Sequence, residues 1–76
     1  MTVGLVVIEG HNVSEEALRS TSLMNAKQLV IGRAPEIGIV LHLAASSSSD
    51  FSAALAKFAA VSGVSGVLTV VVRNSQ

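Results

Sequence analysis

Hydrophobic positions along the chain follow two different periods, and the stretch from Asp50 to Arg73 shows one directly after the other. Phe51, Leu55, Phe58 and Val61 recur at three- and four-residue steps, which marks one apolar face of a helix. Asp50 stands where an N-cap is wanted, and Gly63 where a left-handed residue would end the helix. Beyond Gly66 the run Val67-Leu68-Thr69-Val70-Val71-Val72 is β-branched and apolar on both faces, which predicts a central strand.

The same reading from the N-terminus gives a strand over Val3 to Ile8, apolar at nearly every position and expected beside the C-terminal strand. Gly10-His11-Asn12 is a turn, after which Asn12 or Ser14 caps a helix with Glu15 and Glu16 in its first turn. Asn12 and Glu15 have capping-box spacing. Val13, Ala17, Leu18, Thr21 and Met24 supply the apolar face, while Ser20-Thr21-Ser22 is poor helix material and predicts a short helix that frays. Gln28 to Arg33 is a third strand. Pro35 then forces a turn over Ala34-Pro35-Glu36. Ile37 to Ala44 is a fourth strand, with Ile37, Ile39, Leu41 and Leu43 on one face and Gly38, Val40, His42 and Ala44 on the other. These two strands predict a hairpin, and Ala45 to Ser49 a loop into the long helix.

The order strand, helix, strand, strand, helix, strand predicts an α+β, ferredoxin-like βαββαβ sandwich: a four-stranded antiparallel sheet with two helices on one face. Right-handed crossovers would place the N- and C-terminal strands together in the middle. The second sheet face would then carry Val40, His42 and an apolar set from each central strand. Composition sharpens that expectation. The 76 residues make one small domain, half of them hydrophobic and only 13% charged, and a chain of this size buries only about 60% of its unfolded surface. The uncovered face is therefore expected to self-associate into a homodimer or higher oligomer, with Val40 and His42 at the interface. A protein or peptide partner bound on the same face is the alternative.

Charge and residue usage narrow the function classes. Five basic and five acidic residues balance, and Tyr and Trp are absent, so a nucleic-acid partner is not expected. The absence of cysteine excludes disulfides and thiolate chemistry and fits a reducing compartment, with the cytoplasm as the expected location. The opening MTVGLVVIEG has the pattern of a strand rather than a signal peptide. The longest uncharged run, Phe58 to Val72, is 15 residues, short of the roughly 18–20 that span a bilayer. No membrane association, cofactor or metal is expected.

With this element order and the closing motif FAAVSGVSGVLTVVVR, the chain resembles ACT-type modules, the RAM-type effector domains of leucine-responsive regulators, and the small chaperones of periplasmic nitrate reductase. The resemblance covers most of the chain in element order but lies in residues only over Phe58 to Val72 and, more faintly, Val6 to Leu18. Similarity to ACT modules implies an amino-acid effector at the turn after the first strand, here Glu9, Gly10, His11 and Asn12, at a dimer interface. Similarity to the nitrate-reductase chaperones implies a signal-peptide helix held on the sheet.

The candidate residues also have plainer explanations. His11 converges with Glu9 and Asn12 near a helix start, where a ligand could be held, or it is an exposed loop histidine. His42, inside an apolar strand, is a proton-responsive group at an interface, or a histidine satisfied by a cross-strand neighbour or lining a dimer contact. Ser46 to Ser49 could hold an anion before the long helix, but Asp50 would repel it and a loop explains them. Arg33 and Arg73 protect strand edges, and Glu15 and Glu16 serve the helix dipole. No nucleophile, base and orienting acid are spaced for catalysis. The sequence therefore predicts a non-enzymatic binding or regulatory module, with a peptide-binding or chaperone-like module second and a small acid–base enzyme last.

Overall fold

The computed structural model describes residues 1–74 of the chain. The elements are β1 (Thr2–Gly10), α1 (Glu15–Arg19), β2 (Ala26–Ala34), β3 (Gly38–Ala45), α2 (Ser48–Ala59) and β4 (Val64–Asn74). They build one antiparallel sheet of order β2-β3-β1-β4 with two helices, the ferredoxin-like α+β fold. β1 does pair with β4, but the middle of the sheet is β1 and β3, and β4 is an edge. The expectation of a central C-terminal strand is thus corrected. Each crossover passes over one strand, so β3 lies between β1 and β2, and β1 lies between β3 and β4. Apolarity on both sides of β4 does not mean burial on both sides: Leu68, Val70, Val71 and Val72 are each about half exposed.

Local chemistry sets the helix limits. Ser47 caps α2; its Oγ accepts the Asp50 amide at 3.1 Å and donates to Asp50 Oδ2 at 3.0 Å. Asp50 is accordingly a first-turn residue and not the cap, because the extended backbone of Ser47 presents its hydroxyl one turn earlier. At α1 the cap is Ser14, whose side chain accepts from the Ala17 amide. Asn12, at φ 57°, lacks the extended backbone that a cap requires. The helix ends at Arg19, before the Ser-Thr-Ser stretch, and Thr21 Oγ1 folds back to donate to the Ala17 carbonyl at 2.8 Å. Past that point the helical period is lost. Met24 is 76% exposed, and Leu23 packs on the core instead.

The hairpin turns where Pro35 requires it, with the Ile37 amide donating to the Ala34 carbonyl at 3.2 Å. Ile37 therefore sits exposed in the turn rather than on the core face. Ile39, Leu41 and Leu43 of β3 alternate inward, as do Gly4, Val6 and Ile8 of β1. α2 lays Phe51, Ala54 and Phe58 on them, and Val13 and Leu18 complete the same cluster. Gly4 is the hollow that receives Phe51: a Cβ there would stand 2.6 Å from the ring's Cζ and 2.8 Å from the Val71 carbonyl oxygen. All core residues from both helices belong to one cluster on one side of the sheet.

Phe58 is fully buried at the centre of that cluster. Truncating it removes both transfer energy and packing, so Phe58→Ala should cost about 3–5 kcal/mol. In a domain this small that approaches the whole stability, and urea unfolding followed by circular dichroism should show the midpoint fall to little or no denaturant.

Candidate functional site

Two surfaces carry the residues singled out in the sequence, and Glu9 belongs to both. The first is the turn after β1. Glu9, His11 and Asn12 expose their side chains there, but the backbone is engaged. The His11 amide donates to the Gly63 carbonyl at 3.0 Å, and Gly10 lies so close to Gly63 that a Cβ on either residue would collide with backbone of the opposite loop. Gly63 holds φ +91°, the left-handed conformation anticipated for it, although three residues beyond the α2 C-cap at Ala60. The turn is thus a docking point between two loops, with three polar side chains projecting from it.

The second surface is the sheet face away from the helices. The pairing registers place its side chains in rows across β2, β3, β1 and β4. The end row is Lys27, Ala44, Val3 and Arg73. Next come Val30, His42, Leu5 and Val71, then Gly32, Val40, Val7 and Leu68. The last row is the pair Ala34 and Gly38 and the pair Glu9 and Gly66, one position beyond the end of the β1–β3 ladder at Ile8 and Ile39. Two irregularities set this array. A bulge in β2 between Gln28 and Val30 turns Val30 outward, and a register shift opposite Leu5 and Val6 brings Val71 and Arg73 to the open face. Val40 and His42 are placed side by side in neighbouring rows of one face, half-buried and exposed respectively.

The face is apolar where a solvated antiparallel sheet would be polar. Val30 is 65% exposed, Leu68 51% and Leu5 36%. A shallow cleft of about 460 Å³ on it is lined by Val3, Gly4, Leu5, His42, Val71 and Arg73. The charges sit at its ends: Lys27 and Arg73 in the first row, Glu9 in the last. None of these three side chains has an ion-pair or hydrogen-bond partner among the described residues. Glu9 leans toward β4, its Oε1 lying 3.2 Å from where a Cβ on Gly66 would stand.

A polar cleft of about 310 Å³ runs along the outer side of β2 and is lined in part by Arg19, Thr21, Lys27 and Gln28. Gln28 Nε2 donates to the Leu18 carbonyl, closing α1 onto the sheet, and its buried Oε1 is left without a partner. Arg33, expected to protect a strand edge, donates from Nη2 to the Val13 carbonyl at 3.3 Å and ties β2 to the start of α1. Of the Ser46–Ser49 segment, Ser47 is the cap and Ser48 and Ser49 belong to the helix. Among the described residues no three His, Cys, Asp or Glu side chains gather as metal ligands.

Comparison with protein-family models, curated proteins and solved structures found no match to the chain. Among the described residues, no helix is long and apolar enough to cross a membrane.

Sequence reasoning named Val40 and His42 on the open face but missed Leu5, Val30, Leu68 and Val71, its most exposed apolar members. Alternation identifies Leu5 without further help. Val30 and Val71 depend on the two bulges, which leave no mark in residue type, and Leu68 on which face of β4 meets the helices. The turn yields a direct test. Gly63→Ala strains a left-handed backbone and drives a methyl into the His11 carbonyl, so a loss of more than about 1 kcal/mol in urea unfolding is expected. Gly32→Ala, with no atom of its own chain within 4 Å of the new Cβ, should cost the fold of the single chain far less than Gly63→Ala.

Proposed function

We propose that the chain is a non-enzymatic binding and regulatory module that acts as a homodimer formed through the open sheet face. The supporting observation is the four-by-four array itself, in which Val3, Leu5, Val30, Val40, Leu68 and Val71 leave apolar surface partly or well exposed. Water on this face would hydrate an apolar surface that no element among the described residues covers, and association removes it. His42 lies between Val30 and Leu5 in its row, so it joins the contact rather than a catalytic group.

The turn of Glu9, Gly10, His11 and Asn12 enters this reading as the rim of the same surface, since Glu9 belongs to both. A small effector bound there would be held by the side chains of Glu9, His11 and Asn12, because the His11 amide is already donated to Gly63. Such an effector would raise the melting temperature by mass action, which a thermal-shift screen of amino acids and other small polar molecules reads directly.

Val40 is half-buried in the third row and faces away from the core. Val40→Asp should convert the dimer to a monomer in light scattering over a concentration series while circular dichroism stays that of the wild type. Unchanged mass with an intact fold would reject the face as the interface.

A further inference from the structure

The array also says how two copies would meet. Resting on the proposed dimer, we infer that its two-fold axis runs across the strands, so that the basic end row of one copy lies on the last row of the other and Arg73 pairs with the partner copy's Glu9. Sheets that pack face to face keep their strands aligned within about 30°, which leaves two orientations of a two-fold axis lying in the interface. An axis along the strands stacks each row on itself: two Lys27 and two Arg73 side chains would crowd together, and the two Glu9 carboxylates would meet at the other end. An axis across the strands, through the centre of the array, reverses the row order. The first row then covers the last, and the second covers the third.

That arrangement is complementary in charge and in volume. Arg73 on β4 comes over Gly66 of the opposite β4, beside the Glu9 that already leans toward it. The long Lys27 and Arg73 side chains meet a row whose other members are Ala34, Gly38 and Gly66, which leave them room. Val30 meets Gly32, a position with no atom within 4 Å of its would-be Cβ within the chain. From the strand spacing and rise, the array covers about 400 Å² in projection on each copy, about 800 Å² for the pair before side-chain relief is added, close to the roughly 1,000 Å² that a specific interface needs. Glu9 and Arg73 belong to opposite end rows of one copy, so they form no ion pair within it. A second copy brings them together twice.

The test uses charge reversal at these two exposed positions, with dissociation constants from sedimentation equilibrium at low salt. Glu9→Arg and Arg73→Glu should each weaken the dimer about tenfold, since each turns two attractive pairs into repulsive ones. The double variant E9R/R73E should restore wild-type affinity, and the penalty of the single variants should shrink in high salt. Single reversals with wild-type affinity, or a double variant no better than the singles, would overturn the axis. If Val40→Asp still dissociates that dimer, the sheet-face reading survives without this geometry. A wild-type chain that is monomeric, or a Val40→Asp protein that stays dimeric, overturns both.

Discussion

Two helices of five and twelve residues have a four-stranded sheet to cover, and that disproportion governs the rest of the structure. Helices pack roughly 10 Å apart, so the two helices among the described residues occupy one face and leave the other without a helix. On the covered side the packing is dense. Gly4 admits the Phe51 ring, and Phe58, Val13 and Leu18 are buried in the same cluster. On the other side the same two central strands present Val3, Leu5 and Val40, partly or well exposed, beside Val7 and Ala44, which their neighbours already shield. Both faces of β1 and β3 are apolar, yet among the described residues the helices cover one.

The loops fasten this sandwich where its helices are weakest. α1 is barely more than one turn, too short to stand without tertiary support. It is held by side chains of β2: Gln28 to the Leu18 carbonyl and Arg33 to the Val13 carbonyl. At the other end of the sheet Asn74 Oδ1 accepts from Thr2 Oγ1 at 2.6 Å and from Ser48 Oγ at 3.2 Å, joining β4, β1 and the first turn of α2. The Gly10–Gly63 approach performs the same task between the β1–α1 and α2–β4 loops. The turn proposed for an effector is thus also a structural joint, and a ligand there would act on both crossovers at once.

Element types and order were legible because they rest on local signals: the three–four spacing of α2, the apolar runs of β1 and β4, and the proline that ends β2. Pairing of the N- and C-terminal strands was legible too. The position of β4 in the sheet was not, since a β-branched run apolar on both sides looks the same whether a neighbouring strand or another molecule covers it. The cap of α2 was misplaced because Ser47, Ser48, Ser49 and Asp50 are all acceptable caps by residue type, and only the backbone of Ser47 chooses among them. The open face was legible as a shortage of polar residues, but its membership was not, because period-two counting fails at each bulge.

The β4 irregularity shows how much hangs on one residue. Strict alternation from Leu68 would send Val70, Val72 and Asn74 to the open face and turn Arg73 toward the helices. The shift between the Val6–Thr69 and Leu5–Val71 pairs inserts Val70 as an extra residue and exchanges the two sets. Asn74 thereby reaches Thr2 and Ser48 on the helix side, where its amide oxygen is satisfied. Arg73 stands on the bare face at the opposite end from Glu9. A single inserted residue thus both fastens the end of the sheet and gives the apolar face its charge polarity, and the two consequences cannot be separated by changing side chains alone.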